Sequence, residues 1–214
     1  MAVREPTRQS RADKTRRLLL DAAQNIFSRK GYHDASMDDI VQAADRSKGA
    51  AYFHFPGKGD IFKAVMDRLA GRLERKVQNA IALETTPIAR LDAALAAVLD
   101  AFTGHRRVAR LALVELVGAG PDFRDTLAEI RIRFRRLIEV QLEEAIVLGA
   151  IDPVNTRLVS VAWFGAINEI VLAWLREDEP TDLESEAPTL RGILLRSVGV
   201  EPEVLAASEV THGE

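Results

Sequence analysis

The chain has 214 residues and is 47% hydrophobic, enough to bury a sizeable core, and its lack of cysteine excludes disulfides and thiolate chemistry. No uninterrupted apolar run reaches the roughly 20 residues of a membrane-spanning helix, and the arginine-rich N-terminus lacks the apolar segment of a secretory signal, so we expect a cytoplasmic bacterial protein without a membrane partner. The net charge of -3 conceals an asymmetry, because residues 1–60 carry eleven Lys and Arg against eight Asp and Glu, which indicates one surface suited to a polyanion.

The N-terminal part is predicted to hold a disordered arm followed by one helix. Residues 1–10 contain Pro6 and few apolar groups, which is typical of an unstructured terminus. From Arg11 to Lys30, apolar residues recur at the spacing of one helix face, and Gly31 supplies a C-terminal stop. The residues of this face are Leu19, Ala22, Ala23, Ile26 and Phe27.

Two short helices are predicted next. Ser36 is a favourable N-cap, and Asp39 three residues later completes the pattern of a capping box. Asp45-Arg46 ends the first helix, and Ser47 can cap the second. Two helices so short and so closely joined bury little against each other, so they need the preceding helix as a platform. This arrangement is that of a helix-turn-helix, a DNA-binding unit.

The segment from Lys14 to Phe62 resembles the DNA-binding region of the TetR family of bacterial transcriptional regulators. The residues that match the family motif are Ile40, Ala44, Ser47, Lys48, Gly49, Tyr52, His54, Phe55, Lys58 and Ile61. Asp45-Arg46 stands where the family usually has Gly-Val, and aspartate adopts the left-handed conformation more readily than most residues but less readily than glycine. The resemblance implies a homodimeric, all-helical regulator, more often a repressor than an activator, that binds double-stranded operator DNA and uses no cofactor.

The predicted DNA-binding residues are concentrated around the second short helix. Lys48 can bind a phosphate or donate to guanine O6 and N7, and the unpaired N–H groups at the helix N-terminus attract phosphate. Tyr52 can donate its hydroxyl to a phosphate or contact a thymine methyl, the alternative being that it packs inside the three-helix head. The predicted set is Ser36, Ser47, Lys48, Gly49, Ala50, Tyr52, His54 and Lys58.

Separate predictions concern the end of the second short helix and the residues that follow it. His54 is predicted to contact the DNA backbone or a base, the alternative being a role in capping the helix. Lys58 is predicted to anchor a phosphate at the start of the next helix. Phe55 is expected in the core, and Phe53 partly so.

The remaining chain is predicted to be helical, without strands or internal repeats. A helix from Lys58 to Leu83 would span about 40 Å and link the head to a separate body. Further helices are predicted over residues 86–102, 106–117, 121–149 and 152–176, with Thr86-Pro87, Pro121 and Asp152-Pro153 at three of their starts, and a last helix follows the acidic loop 177–186. The predicted fold is all-α with about nine helices. Residues 11–71 form the helix-turn-helix head with the start of the linking helix, and residues 72–214 form the body for effector binding and dimerisation.

The body is predicted to form a homodimer and to bind an effector. The last two long helices should pair with a partner, since Ala162, Gly165, Ala166 and Ala173 allow close approach; the alternative is an ordinary monomer core. The body also has more large apolar groups than a slim bundle needs, and Asn168 among them either bonds a neighbouring helix or fixes the polar end of a ligand. The predicted ligand-binding residues are Leu99, Phe102, Leu111, Ile130, Phe134, Trp163, Phe164, Ile167 and Asn168.

The predicted function is that of a repressor released from its operator by a small, mostly apolar or amphipathic effector. The alternative is a DNA-binding scaffold controlled by a partner protein, with no small-molecule pocket. Catalysis is not expected, because the sequence has no glycine-rich phosphate loop, no H-E-x-x-H pattern and no metal-ligand spacing of Cys and His. No metal site is predicted, since the four histidines are scattered.

Overall fold

The computed structural model describes residues 8–177 and 183–200, which fold into nine helices and no strand, so the predicted all-α fold is confirmed. The helices are α1 (Arg8–Asp34), α2 (Met37–Ala43), α3 (Lys48–His54), α4 (Lys58–Ala82), α5 (Pro87–Thr103), α6 (Arg106–Arg110, continuing through a π-helical turn at Leu111–Glu115 to Leu116–Gly118), α7 (Arg124–Val147), α8 (Thr156–Arg176) and α9 (Ala187–Arg196). Short 3-10 turns cover Pro121–Phe123 and Leu183–Glu186.

The chain divides into two compact units that are not continuous in sequence. Among the described residues, unit 1 comprises 8–69 and 110–127, and unit 2 comprises 70–109 and 128–200 apart from 178–182. Helix α4 therefore begins in unit 1 and ends in unit 2. The predicted head, residues 11–71, lacks the second segment of unit 1.

Unit 1 is built on the predicted apolar face of α1. Leu19, Ala23 and Phe27 are at most 1% exposed, because residues spaced three or four apart share one side of a helix. The short helices and the start of α4 cover this face with Met37, Ile40, Val41, Ala51, Ile61, Phe62, Val65 and Met66, all buried. Two seven-residue helices are thus held by packing against longer ones, as the sequence predicts.

Four aromatic rings from distant parts of the sequence meet in unit 1. The rings of Tyr32 and Phe62 have centroids 4.6 Å apart, and Phe27 lies 5.0 Å from Phe62. Phe123 joins them at 5.0 Å from Tyr32 and 5.2 Å from Phe62, and it is 3% exposed. Aromatic pairs at these distances stabilise a core beyond the area they bury. Residues 110–127 therefore complete the core of unit 1.

The π-helical turn of α6 also binds the end of α1. Oε2 of Glu115 accepts a hydrogen bond from the Tyr32 N–H at 3.2 Å, and Nε2 of His33 lies 3.2 Å from the Gly118 carbonyl oxygen. Gly31 turns the chain here with φ 77°, and a Cβ at this position would stand 2.9 Å from Oε2 of Glu115. The predicted stop at Gly31 is confirmed by this backbone break, and only glycine fits it without strain.

The predicted helix starts at Ser36, Ser47 and Thr86 are confirmed. Each side-chain hydroxyl accepts the N–H of the residue three positions later, at 3.1, 3.2 and 3.2 Å respectively, which satisfies one of the free donors of a helix N-terminus. Asp45 has φ 51° between α2 and α3. It thus takes the left-handed conformation that glycine usually supplies in this turn.

Two predicted segments differ at their ends. Residues 8–10, predicted as part of a disordered arm, belong to α1, so that part of the prediction is wrong; residues 1–7 lie outside the described residues. Of the predicted acidic loop, residues 178–182 also lie outside them, whereas Leu183–Glu186 form a 3-10 turn.

Two predicted helix starts are wrong by a few residues. Helix α8 begins at Thr156 and not at Asp152, because the Asn155 side chain accepts the N–H three residues later at 3.0 Å and so caps the helix. Pro121 opens a 3-10 turn, and the long helix α7 begins only at Arg124. In both places several residues could start a helix, and the sequence does not rank them.

Unit 2 packs α5 and α7–α9 around a second core. The side chains that are at most 7% exposed there include Leu91, Leu95, Leu99, Leu142, Ala145, Trp163, Val171, Trp174, Leu190 and Leu194. The indole N–H of Trp163 donates to Oγ of Ser197 at 3.0 Å. Arg106 donates to the carbonyl oxygens of Trp174 and Leu175, both at 3.2 Å. It thereby satisfies free acceptors at the end of α8.

Among the described residues, α8 is the one helix that is both long and apolar enough to cross a membrane. It has 21 residues, and an 18-residue stretch within it has a mean hydropathy of 1.7; a count of uninterrupted apolar residues does not predict this. Asn168 and Glu169 lie within it. An apolar helix that packs against other helices passes the same test, so this finding is weak evidence for a membrane span.

Candidate nucleic-acid interface

One side of α3 faces solvent and the other is buried. Lys48, Gly49, Tyr52 and Phe53 are all exposed, and their spacing of one and four residues places them on a single side of the helix. We call these four residues the α3 face. Tyr52 is 49% exposed and Phe53 80%, whereas Ala51 is fully buried. Short as it is, α3 therefore presents a defined surface with a cation at its N-terminal end and two aromatic rings at the other.

The N-terminal end of the α3 face is unobstructed. Ser47 caps the helix, and a Cβ added at Gly49 would have no atom within 4 Å. The backbone of Gly49 is also helical, so neither packing nor backbone conformation requires a glycine there. The absence of a side chain leaves room for a partner to approach the backbone.

Lys48 at the start of α3 forms an ion pair with Asp38 of α2. Its ammonium group lies 2.8 Å from Oδ1 and 2.9 Å from Oδ2 of Asp38, and this hydrogen bond and the nearby negative charge raise the pKa of Lys48. Both side chains are 65% exposed. The cation is thus available at the surface, but it shares that surface with a carboxylate that the sequence does not predict as part of the site.

Asp39, next to this carboxylate, fixes the start of α2. Its side chain accepts the N–H of Ser36 at 3.0 Å and the hydroxyl at 2.8 Å, while Lys30 of α1 binds its other oxygen at 2.8 Å. The hydrogen bond from Lys30, then those from Ser36, lower the pKa of Asp39 to about 2. Ser36 is exposed, but its hydroxyl is already engaged by Asp39, and its contact with DNA stays a prediction.

Lys58 has a different role from the predicted phosphate anchor. Its ammonium group donates to the carbonyl oxygens of Tyr32 at 2.8 Å, His33 at 3.1 Å and Ala35 at 2.9 Å, and it lies 4.5 Å from the centre of the Tyr32 ring. An ammonium group has three protons, and these three acceptors use them all. This geometry therefore leaves no ammonium proton for the predicted phosphate contact, and Lys58 joins the start of α4 to the end of α1.

The end of α3 corrects one further expectation. Phe55 is 3% exposed and lies in the core as predicted, but the prediction that Phe53 is partly buried is wrong. Ala51 and Phe55 are one turn apart on the buried side, so Phe53, halfway between them in sequence, points away from it. That spacing could have revealed its exposure. His54 is half-buried, and in the described part of the chain its ring makes no hydrogen bond that would cap the helix.

The structure separates the predicted ligand-binding residues into two groups. Leu111 is 1% exposed and belongs to unit 1, whereas the other eight belong to unit 2. Leu99 and Trp163 are buried there, and the indole N–H of Trp163 already has Ser197 as its acceptor. The half-buried members are Phe102, Ile130, Phe134, Phe164, Ile167 and Asn168.

The side chain of Asn168 is half-buried on α8. Within the described ranges, the Asn168 amide makes no hydrogen bond, so the interhelical bond considered as the alternative to ligand binding is not found there. Among the same residues, no three His, Cys, Asp or Glu side chains are grouped so that they could hold a metal ion.

Comparison with known proteins gives two family matches that together cover most of the chain. Residues 19–65 match the family model described as "Bacterial regulatory proteins, tetR family", and residues 84–198 match "Tetracyclin repressor-like, C-terminal domain". The chain is 23% identical to the fatty acid metabolism regulator protein of Bacillus subtilis over 84% of this chain and 93% of that protein. It is 27% identical to the HTH-type transcriptional regulator AcrR of Shigella flexneri over 86% of this chain and 89% of the relative.

Similar solved structures agree on the fold. The transcriptional regulator FadR from Bacillus subtilis, solved in complex with stearoyl-CoA, covers 86% of this chain and 97% of its own, with a TM-score of 0.77 at 23% identity.

Proposed function

The chain belongs to the tetR family of bacterial regulatory proteins, and from this premise we propose that it is a homodimeric repressor whose α3 faces bind operator DNA until a small, mostly apolar effector releases them. Its family consists of DNA-binding transcriptional regulators. The proposed contacts are Ser36, Ser47, Lys48, Gly49, Ala50, Tyr52 and His54. Cytoplasmic location follows from this proposal, because the chromosome is there.

The α3 face is the observation that carries the proposal of DNA binding. It combines an exposed cation with a gap at Gly49 and an exposed tyrosine, and it lies on a helix whose other side is buried. A helix with these properties can enter the major groove, about 12 Å wide, and place its N-terminal residues near base edges.

Dimerisation is supported by apolar side chains left in solvent on two long helices. Leu158 is 64% exposed and Val161 42% on α8, and Ile132 is 56% and Val140 41% exposed on α7. A Cβ at Gly165 would have no atom within 4 Å, so a partner helix can approach closely there. Two heads are also needed physically, because one head makes too few phosphate contacts for useful affinity. We therefore assign the dimer surface to α7 and α8.

A long-chain acyl thioester is the effector class that we propose. The support is twofold: the Bacillus subtilis regulator similar to this chain was solved with stearoyl-CoA, and unit 2 leaves Phe102, Phe134, Phe164 and Ile167 only half-buried. Large apolar side chains that are not sealed in a core suit an aliphatic chain. Binding would shift the dimer toward a head spacing that no longer fits adjacent major grooves.

Selection of bound sequences from a random DNA pool tests the proposal. We expect a palindromic site whose half-sites lie about one helical turn apart. Stearoyl-CoA should then release the selected duplex at concentrations at which free CoA and stearate do not. Recovery of no preferred sequence would contradict DNA recognition, and specific binding that no acyl thioester affects would contradict the effector class alone and favour control by a protein partner.

A further inference from the structure

We propose that Phe53 recognises thymine, with its phenyl ring in contact with the C5-methyl group of one thymine in each half-site. This inference rests on the proposed binding of DNA by α3. It adds to that binding a specificity-determining residue outside the proposed contact set, with a defined chemical target on the base.

The exposure of Phe53 is not explained by the fold. Its side chain is 80% exposed, although a phenyl ring gains nothing from contact with water. The buried side of α3 is already filled by Ala51 and Phe55, which are 0% and 3% exposed. Phe53 lies inside a regular, capped helix and not in a loop, so its outward direction is fixed by the helix itself.

The surroundings of Phe53 match those of a DNA contact. It follows Gly49 by four residues, which places it one turn further along the α3 face, just as Tyr52 follows Lys48. The open space at Gly49 would let the helix approach a groove closely enough for the phenyl ring to reach a base edge. The neighbouring His54 ring lies edge-on at a centroid distance of 5.2 Å.

The chemistry of the side chain selects its target. A phenyl ring has no hydrogen-bond donor or acceptor, so it cannot bind a phosphate or the polar atoms of a base edge. In the major groove the thymine C5-methyl is the apolar group that base edges present, and phenylalanine is among the residues that contact it. Lys48 and Tyr52 on the same face would supply the polar contacts, and Phe53 would distinguish thymine from cytosine.

The test removes single methyl groups from the selected duplex. Each thymine of a half-site is replaced in turn by deoxyuridine, which lacks only the C5-methyl, and the affinities of the parent protein, Phe53→Ala and Phe53→Leu are measured by fluorescence anisotropy. A fixed low salt concentration keeps weaker variants measurable. We expect one position at which deoxyuridine lowers the affinity of the parent about fourfold, the effect of one buried methyl group. Phe53→Ala should lose this difference, and Phe53→Leu should keep part of it.

A matched control separates the loss of the Phe53 ring from the loss of a neighbouring polar group. Tyr52→Phe removes a hydroxyl one residue away and should leave the deoxyuridine effect unchanged. The proposal is overturned if the selected half-site contains no thymine, if no deoxyuridine lowers the parent's affinity, or if Phe53→Ala shows the same loss at the same position. In these cases the exposed ring is free to contact another protein molecule instead. A parent protein that selects no sequence at all contradicts the proposed function, which is a different result.

Discussion

Asp38 binds the ammonium group of Lys48 through both carboxylate oxygens, at 2.8 and 2.9 Å. The pair joins the first turn of α2 to the first turn of α3. Because both side chains are well exposed, it contributes little to folding stability. On the α3 face this ion pair orients the one cation and places a negative charge beside it.

Asp38→Asn should bind DNA more tightly than the parent. The substitution keeps the size of the side chain, removes a charge that phosphates repel, and frees Lys48, so we expect affinity to rise about three- to tenfold for specific and non-specific duplexes alike. Anisotropy titrations at several salt concentrations measure this. In the background of Lys48→Ala the gain should become smaller, and an equal gain there would show that the ion pair has no part in it.

Gly49→Ala should separate stability from DNA binding. A Cβ at this position meets no atom, and alanine favours a helix over glycine, so the free energy of unfolding should rise by up to about 1 kcal/mol. DNA affinity should fall, because the methyl group occupies the gap on the α3 face. Gly118→Ala is the control, since a Cβ there is also unobstructed. If Gly49→Ala binds the selected duplex like the parent, the gap has no role in recognition.

Lys58→Met should lower stability without changing the salt dependence of DNA binding. The variant leaves three carbonyl oxygens of the α1 end without their donor, so the free energy of unfolding should fall by about 2 kcal/mol in urea denaturation. The matched control is Lys63→Met on the same helix, which removes only an exposed lysine 5.6 Å from the Phe123 ring. A stable Lys58→Met protein whose salt slope is flatter by about one would restore the phosphate anchor.

The pH dependence of stability should depend on Asp39. Its pKa in the folded protein is about 2, below the ordinary value of 3.8, so the stability that it contributes is present above about pH 4 and is lost as the pH falls through 2. Asp39→Asn should therefore melt below the parent at pH 5, and the two melting temperatures should converge toward pH 2. The variant Lys30→Met lacks the largest cause of the low pKa of Asp39, so its loss of stability on acidification should begin nearer pH 4. Parallel melting curves at every pH would contradict this account.

Leu158→Glu should produce a folded monomer. Leu158 is 64% exposed in the single chain, so a charge there leaves the core intact but opposes apolar contact with a partner. Sedimentation should show half the mass of the parent, circular dichroism should show unchanged helix content, and affinity for the selected duplex should fall sharply. A dimeric Leu158→Glu protein would place the dimer surface elsewhere.

Local patterns predicted the parts of this structure that depend on neighbouring residues. Ser36 and Ser47 were predictable as caps because a cap depends only on a hydroxyl and the N–H of the residue three positions later. Asp45 adopts the left-handed conformation that glycine usually supplies at this position of the turn. Parts that depend on distant residues were not predictable in the same way. The three acceptors of Lys58 lie more than twenty residues away in sequence, and no spacing rule indicates that their oxygens converge.

The prediction that Phe53 is partly buried failed because it considered the hydrophobicity of the residue without its angular position on the helix. Phe53 is apolar, and apolar residues are usually buried, but burial on a helix is decided by angular position. Measured from Ala51 and Phe55, residue 53 falls on the opposite side. The same criterion also predicts the exposure of Gly49, four residues before Phe53.

The discontinuity of unit 1 has a consequence for the newly made chain. Phe123 and Glu115 complete the surroundings of Tyr32, yet a ribosome makes all of residues 70–109, which belong to unit 2, before it reaches them. Until then the nascent head carries an uncovered aromatic surface. A fragment that ends near residue 71 would carry the same defect permanently. We therefore expect that the head cannot be fused alone to another protein, and that such a fusion must also contain residues 110–127.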